Sequence, residues 1–329
     1  MLNSLLSVKM LKKWFPLRRS FIEFFKRTPI SYVKAVDEIS FEIKDKEIFV
    51  LAGESGSGKT TTGRLLVKAL EPDSGKIIFK GKDITRLKGK ELKFFRKEAQ
   101  MIFQDPYASL NPRFKVYDTL MEPLIVHRIG KNKEERIELI AKALEDVKLS
   151  PKDFMYRYPH MLSGGQRQRL AIARSLILKP KFIVADEPVS MLDLSIRAEI
   201  LELMINLRKK YGISYLYITH DLSTAKYIGD TLAIMYMGKI VEVGFLKKLL
   251  TKPLHPYTKA LIEAIPEPDP IDRLKEIDSI LKQAVAETKI PSKGCRFFPR
   301  CSYAKSICFN NEPSLIEVEK DHKVACFFV

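Results

Sequence analysis

The residues whose types and spacing could do chemistry gather in a few short stretches, the clearest being Gly53-Glu54-Ser55-Gly56-Ser57-Gly58-Lys59-Thr60, followed by Thr61. Glycines at this spacing let backbone N–H groups turn inward around a phosphate, and a helix opening behind them adds its N-terminal dipole. In such a loop the lysine reaches the terminal phosphates of a nucleotide and the Thr60 hydroxyl ligates Mg²⁺. A second stretch, Phe182-Ile-Val-Ala-Asp186-Glu187, sets two acids at the end of an apolar run. An open α/β sheet presents its ligand-binding edge at such a strand end, so Asp186 is expected to hold Mg²⁺ and Glu187 to polarise an attacking water. A third, Leu162-Ser163-Gly164-Gly165-Gln166, leads into Arg167 to Arg174 with helical spacing. It supplies a second helix N-terminus bare enough to approach a phosphate. One chain cannot easily aim two such helix ends at one nucleotide, so the second is expected to serve a nucleotide bound to another subunit.

The elements that must position these residues follow from the patterning. Glu47 to Gly53 is a short apolar run ending in glycine and predicts a buried strand; Thr60 to Leu70 has helical spacing, closed by turn residues from Glu71 to Gly75. Further strands are predicted at Lys76 to Lys80, Gln100 to Phe103, Lys181 to Ala185, Ser214 to Thr219 and Thr231 to Val243. Most are continuous apolar runs, as a parallel sheet covered on both faces requires. Val33 to Ile43 alternates more like an antiparallel strand, and Val116 to Leu178 is helical, most clearly from Lys131 to Leu149. The expectation is therefore an α/β domain over residues 1–250 with a helical subdomain at about 112–178. Beyond it, prolines from Pro253 to Pro270 mark a linker-like stretch, Ile271 to Glu287 reads as a helix, and about 293–329 reads as a separate small module, the whole extension being 251–329.

Composition narrows the class further. With 57 Lys+Arg against 40 Asp+Glu the 329-residue chain carries a net charge of +17, and 46% hydrophobic residues suffice for a full core, which excludes disordered and fibrous classes. No stretch approaches the roughly 18 to 20 uncharged apolar residues of a spanning helix. Lys9, Lys12, Lys13, Arg18 and Arg19 break the early apolar stretches before the core of an export signal can form, so an intracellular protein is expected. The positive charge would suit nucleic acid, an anionic membrane surface or a nucleotide, and composition does not choose among them.

The phosphate loop, Gln104, the Leu162–Gln166 signature, the acidic strand, Ser190-Met-Leu-Asp193 and His220 occur in the order found in the ATP-binding subunits of ABC transporters. The chain resembles that family over nearly its whole length. The resemblance implies an α/β P-loop NTPase of ABC type with an antiparallel β subdomain, an inserted helical subdomain and a small C-terminal cysteine module, using ATP and Mg²⁺. It implies that Gln104 contacts Mg²⁺ and the attacking water, that His220 contacts the γ-phosphate, and that Asp193 faces a partner. Two nucleotide-binding chains would close head to tail, each offering Ser163, Gly164, Gly165 and Gln166 to the other's ATP.

Gln104 to Pro112 and His255 to Leu261 are similar to segments of the oligopeptide and dipeptide uptake branch, and Ser163 to Arg169 resembles the second of its two paralogous ATPases. This implies an ATPase powering peptide import from the cytoplasmic face of the membrane, with a paralogous ATPase, two integral membrane permease subunits and, indirectly, an extracytoplasmic binding protein, and no nucleic acid. By the same resemblance Phe15 stacks on adenine, with Trp14 a competitor. The family often has Tyr at that aromatic and Ala where Met191 stands. Cargo remains open at this level, since relatives carry sugars or nickel. A non-transport ABC ATPase acting on nucleic acid or the ribosome is the alternative class, against which stand the single ATPase unit and the lack of a long coiled-coil insertion.

All four cysteines, Cys295, Cys301, Cys308 and Cys326, lie in the tail with spacing C-x5-C-x6-C-x17-C. In a reducing cell four nearby thiols argue for a metal over disulfides. The spacing matches neither the usual zinc pairs nor the ferredoxin patterns. Similar tails in peptide-transporter ATPases are associated with a [4Fe-4S] cluster, and the resemblance implies one here.

Overall fold

The computed structural model describes residues 4–17, 31–264 and 293–329. The helix expected at 271–287 lies outside them. Two sheets organise the rest. β1 (Ser4–Pro16) and β2 (Tyr32–Lys44) run antiparallel and, with β4 (Ser74–Phe79) and β5 (Lys82–Asp83), form a four-stranded sheet in the order β2-β1-β4-β5. The mixed apolar and basic start of the chain is thus a strand that buries Leu5, Leu6, Val8 and Leu11.

The larger sheet has the order β11-β12-β10-β9-β3-β8-β7-β6. Its parallel centre comprises β3 (Ile48–Ala52), β6 (Ala99–Ile102), β7 (Phe182–Asp186), β8 (Ser214–Thr219) and β9 (Thr231–Tyr236). Alternate residues of one strand serve two cores. Ile48, Val50 and Ala52 of β3 pack with the helical side, whereas Phe49 and Leu51 pack toward the antiparallel sheet. That double burial is why the run is apolar throughout.

Helix α1 (Lys59–Leu66) follows β3 directly and stops short of the expected Leu70, where Lys68 takes a left-handed φ of 57°. The helical subdomain is built from α2 (Val116–Val126), α3 (Lys133–Asp146) and α4 (Gly164–Leu176) with shorter turns between them. Their apolar faces, among them Leu120, Leu124, Ile140, Leu144 and Leu170, join the helical-side core. Helix α5 (Leu194–Tyr211) follows β7 and ends at Gly212, left-handed at φ 63° with its N–H on the Arg208 carbonyl.

Two expectations are corrected. The run from Thr231 to Val243 is two strands, β9 and β10 (Lys239–Phe245), folded antiparallel about Met237 and Gly238, which both take positive φ (41° and 86°). The continuous apolar character hid the turn because both strands are buried. The cysteine-bearing tail is also less separate than expected: β11 (Ile316–Glu319) and β12 (His322–Val324) extend the main sheet, β12 pairing Val324 with Glu242 and His322 with Gly244 of β10. Helix α6 (Pro256–Glu263) and Phe297 seal this junction, the Phe297 ring lying 5.4 Å from both Tyr236 and Tyr257.

Candidate functional site

The phosphate loop spans the turn from β3 into α1 and is held from both sides. A Cβ on Gly58, at φ 106°, would lie 1.9 Å from the Ala35 carbonyl oxygen, so only glycine fits where the loop presses against β2. The Gly238 N–H donates to the Ser57 carbonyl, tying the loop to the β9–β10 turn. Lys59 is 5% exposed and donates to the carbonyls of Gly53 and Glu54, each at 2.8 Å. Burial lowers its pKa, with Glu187, Asp186 and Glu54 pulling the other way. A cation so enclosed by its own loop can transfer from carbonyls to phosphate oxygens with little movement of the chain.

The Thr60 hydroxyl donates to Asp186 Oδ1 at 3.0 Å, joining the start of α1 to the end of β7. Burial raises the Asp186 pKa, the Thr60 hydrogen bond opposing it and the neighbouring Glu187 charge adding to it. One residue on, Glu187 takes φ 45°, a left-handed conformation uncommon for a non-glycine residue. Its N–H donates to the Ile218 carbonyl, and its own carbonyl accepts from the Ser190 hydroxyl. Its Oε2 accepts from Gln104 Nε2 at 3.0 Å and lies 3.1 Å from His220 Nδ1. Three loops far apart in sequence therefore meet on a single carboxylate oxygen, at the C-terminal ends of β6, β7 and β8.

Ser163 caps α4 reciprocally with Gln166: its hydroxyl accepts the Gln166 N–H at 3.3 Å and its own N–H donates to Gln166 Oε1 at 3.0 Å. This helix end is thus partly satisfied internally rather than bare. Gly165 is needed for packing too, since a Cβ there would approach Ile196 Cγ2 to 2.7 Å. Asp193 precedes α5 and makes no side-chain cap bond. The loop before it is tied by Arg197, which donates to the carbonyls of Leu192 and Ser190. Met191 and Leu194 stand exposed at 57% and 82%. Trp14 and Phe15 differ in surroundings: the Trp14 indole donates to Asp37 at 3.0 Å beneath the Lys12 ammonium, whereas Phe15 is 37% exposed.

Sequence reasoning missed the contribution of the tail. Arg300 grips Glu54 of the phosphate loop with two bonds of 2.9 Å, and the Glu54 N–H donates to the Tyr257 hydroxyl at 3.0 Å. Arg296 pairs with the buried Asp37 of β2. No spacing rule links residues more than 200 positions apart, so these contacts had no sequence signal. The four cysteines are free thiols lining one cavity of about 200 Å³. Among the described residues, no group of three or more His, Cys, Asp or Glu side chains is arranged to hold a metal ion.

A phosphate-gripping turn and an acid pair at the carboxyl edge of a parallel sheet define a P-loop nucleoside-triphosphate hydrolase. The family model described as ABC transporter matches residues 36–190, and that described as oligopeptide/dipeptide transporter, C-terminal region, matches 241–308. The oligopeptide transport ATP-binding protein OppF of Streptococcus mutans serotype c is 51% identical over 78% of this chain and 83% of its own. The oligopeptide transport ATP-binding protein AppF of Bacillus subtilis is 43% identical over 98% of this chain and 97% of its own. Among solved structures, the ATP-binding cassette MJ0796, in a dimeric post-hydrolysis state bound to ADP and Pi, superposes with a TM-score of 0.63 at 26% identity, over 73% of this chain and 98% of that one. The cbiO1 protein from Clostridium perfringens, part of the ABC transporter complex cbiONQ, gives 0.64 at 26% identity, over 76% and 92%. The chain belongs to the ABC transporter family, among the ATP-binding subunits whose activity is ATP hydrolysis with ATP and Mg²⁺ as ligands. No described helix is long and apolar enough to cross a membrane.

Proposed function

We propose that this chain hydrolyses ATP to drive import of dipeptides or oligopeptides, working from the cytoplasmic face of a membrane. It pairs head to tail with a paralogous ATPase on two permease subunits that an extracytoplasmic binding protein supplies. The observation that carries the catalytic part is the convergence of Gln104 and His220 on one carboxylate oxygen of Glu187, beside the Thr60–Asp186 pair. The cargo class rests on relatives named for oligopeptide transport that align over most of both chains.

In this reading Gly53 to Thr61 wraps the phosphates and Lys59 leaves the loop carbonyls for the β- and γ-phosphate oxygens. Thr60, Asp186 and Gln104 would hold Mg²⁺, which neutralises charge on those oxygens. Glu187 orients the attacking water and accepts its proton, and His220 turns from Glu187 to the γ-phosphate. Phe15, the more accessible of the two aromatics, stacks on adenine. Ser163 to Gln166 and Asp193 meet the partner's nucleotide, and the exposed Met191 and Leu194 fit a surface that becomes covered on closure.

The four cysteines would hold a [4Fe-4S] cluster as a structural staple of the tail. They fit in kind and room: burial pushes Cys295 up to about 11 and Cys301 upward as well, so cationic iron would supply the stabilisation that these thiolates lack from water. Four thiols around one cavity offer the all-sulfur donor set that such a cluster takes. Iron and labile sulfide near four equivalents each in anaerobically purified protein support this, and one zinc without sulfide overturns it.

The test of the whole reading is affinity capture of the Glu187→Gln protein with ATP from its own solubilised membranes. Recovery of a paralogous ATPase with two multi-span proteins is expected. Recovery of ribosomal or nucleic-acid proteins alone would overturn the transporter assignment.

A further inference from the structure

The phosphate loop carries an acid in its second position, and Glu54 is an awkward residue beside a site for a polyanion. Its main chain already serves the loop, the carbonyl accepting from Lys59 and the N–H donating to Tyr257. Its carboxylate is left to repel phosphate unless something neutralises it. The neutralising group comes from the tail: both nitrogens of the Arg300 fork bond the two Glu54 oxygens at 2.9 Å. The Arg300 side chain is 19% exposed and Glu54 43%. The Arg300 guanidinium also lies 5.8 Å from the Tyr236 ring and 5.9 Å from that of Phe297.

The aim of that arginine is fixed by its surroundings. Arg300 ends the one-turn helix Phe298–Arg300 and donates its N–H to the Phe297 carbonyl. Phe297 is clamped between Tyr236 of β9 and Tyr257 of α6. Cys295 and Cys301, which flank this turn in sequence, line the cysteine cavity together with Phe297 and Phe298. Whatever orders the cysteine segment therefore orders the fork that faces the phosphate loop.

We propose that Arg300, assisted by Tyr257, is a positioning residue of the nucleotide site: the C-terminal tail clamps the first turn of the phosphate loop and cancels the Glu54 charge, and so sets ATP affinity without touching ATP. A bidentate arginine suits the task, because it fixes the carboxylate plane as well as its charge.

The prediction separates binding from turnover. In the full chain, Arg300→Gln raises the KM for ATP about three- to tenfold while kcat stays within about twofold. Adding Glu54→Gln to that variant returns KM toward the wild-type value, because the unpaired carboxylate is gone, and high salt narrows the gap between Arg300→Gln and wild type. Arg300→Lys, which keeps the charge but loses the fork, falls between. Should Arg300→Gln fold poorly by its melting curve, Tyr257→Phe carries the test, since it deletes one hydroxyl and leaves the ring packing; a KM rise of about two- to threefold is expected. An unchanged KM in a folded Arg300→Gln or Tyr257→Phe protein, or a KM that the added Glu54→Gln does not lower, overturns the proposal.

Discussion

Lys59 shows how much a single residue type settles and where its neighbours take over. A lysine after Gly-x-Gly at the head of a helix reads as a phosphate ligand from sequence, but its burial and its bonds to the Gly53 and Glu54 carbonyls appear only in the fold. Lys59→Met keeps most of the side-chain volume and removes the charge. A charge-assisted hydrogen bond is worth about 1.5–3 kcal/mol, so affinity for a fluorescent ATP analogue is expected to fall about 10- to 100-fold. Titration showing affinity within threefold of wild type would refute the assigned role. Gln104 and His220 were legible only as members of an ordered set, since each alone is an ordinary polar residue. Their contact with one Glu187 oxygen is the fact that makes them a site. The left-handed backbone at Glu187 had no signal at all, because a strand-end acid predicts nothing about the following φ.

At the scale of elements, the parallel strands were read correctly because burial on both faces leaves a run no choice but to be apolar. The same property erased the turn at Met237-Gly238, for a buried hairpin and a long buried strand look alike. Helix α6 shows what composition hides. His255 is its N-cap, and its Nδ1 accepts the Tyr257 N–H at 3.0 Å, which only a neutral ring can do. Burial holds its pKa down at about 4, against an ordinary 6.5. A folded pKa below the unfolded one means that the unfolded chain takes up the proton first. Stability is therefore full above about pH 6.5 and declines as pH falls toward 4, by about 2 kcal/mol at pH 5. His255→Asn keeps a capping acceptor that does not titrate, so urea unfolding at pH 7.5 and pH 5 should show a smaller loss for the variant than for wild type. Equal losses would assign the acid sensitivity to other groups.

At the scale of the molecule, the tail ties both sheets together. His322 of β12 bonds the fully buried Glu242 of β10, which also accepts the N–H groups of Leu254 and His255. Arg296 reaches across to Asp37 of β2, both side chains being 7% exposed. Burial alone would raise the Asp37 pKa, but Arg296, Lys239 and the Trp14 indole outweigh it and hold the carboxyl below its usual range. Arg296→Met leaves that buried carboxylate with only the Trp14 indole and the more distant Lys239 ammonium, and a loss of about 1–3 kcal/mol is expected by denaturant unfolding at pH 7. A loss below 1 kcal/mol would mean that Asp37 is solvated or neutral in the folded chain. What the amino-acid order determined by itself was local: the phosphate loop, the acidic strand end, the signature helix and the succession of short strands and helices, because backbone geometry and periodicity are short-range. Only the tertiary structure decided that the tail extends the main sheet, that Arg300 faces Glu54, and that Arg296 pairs with Asp37 of β2. Those pairings depend on where strands end in space, and chain separation along the sequence carries no record of it.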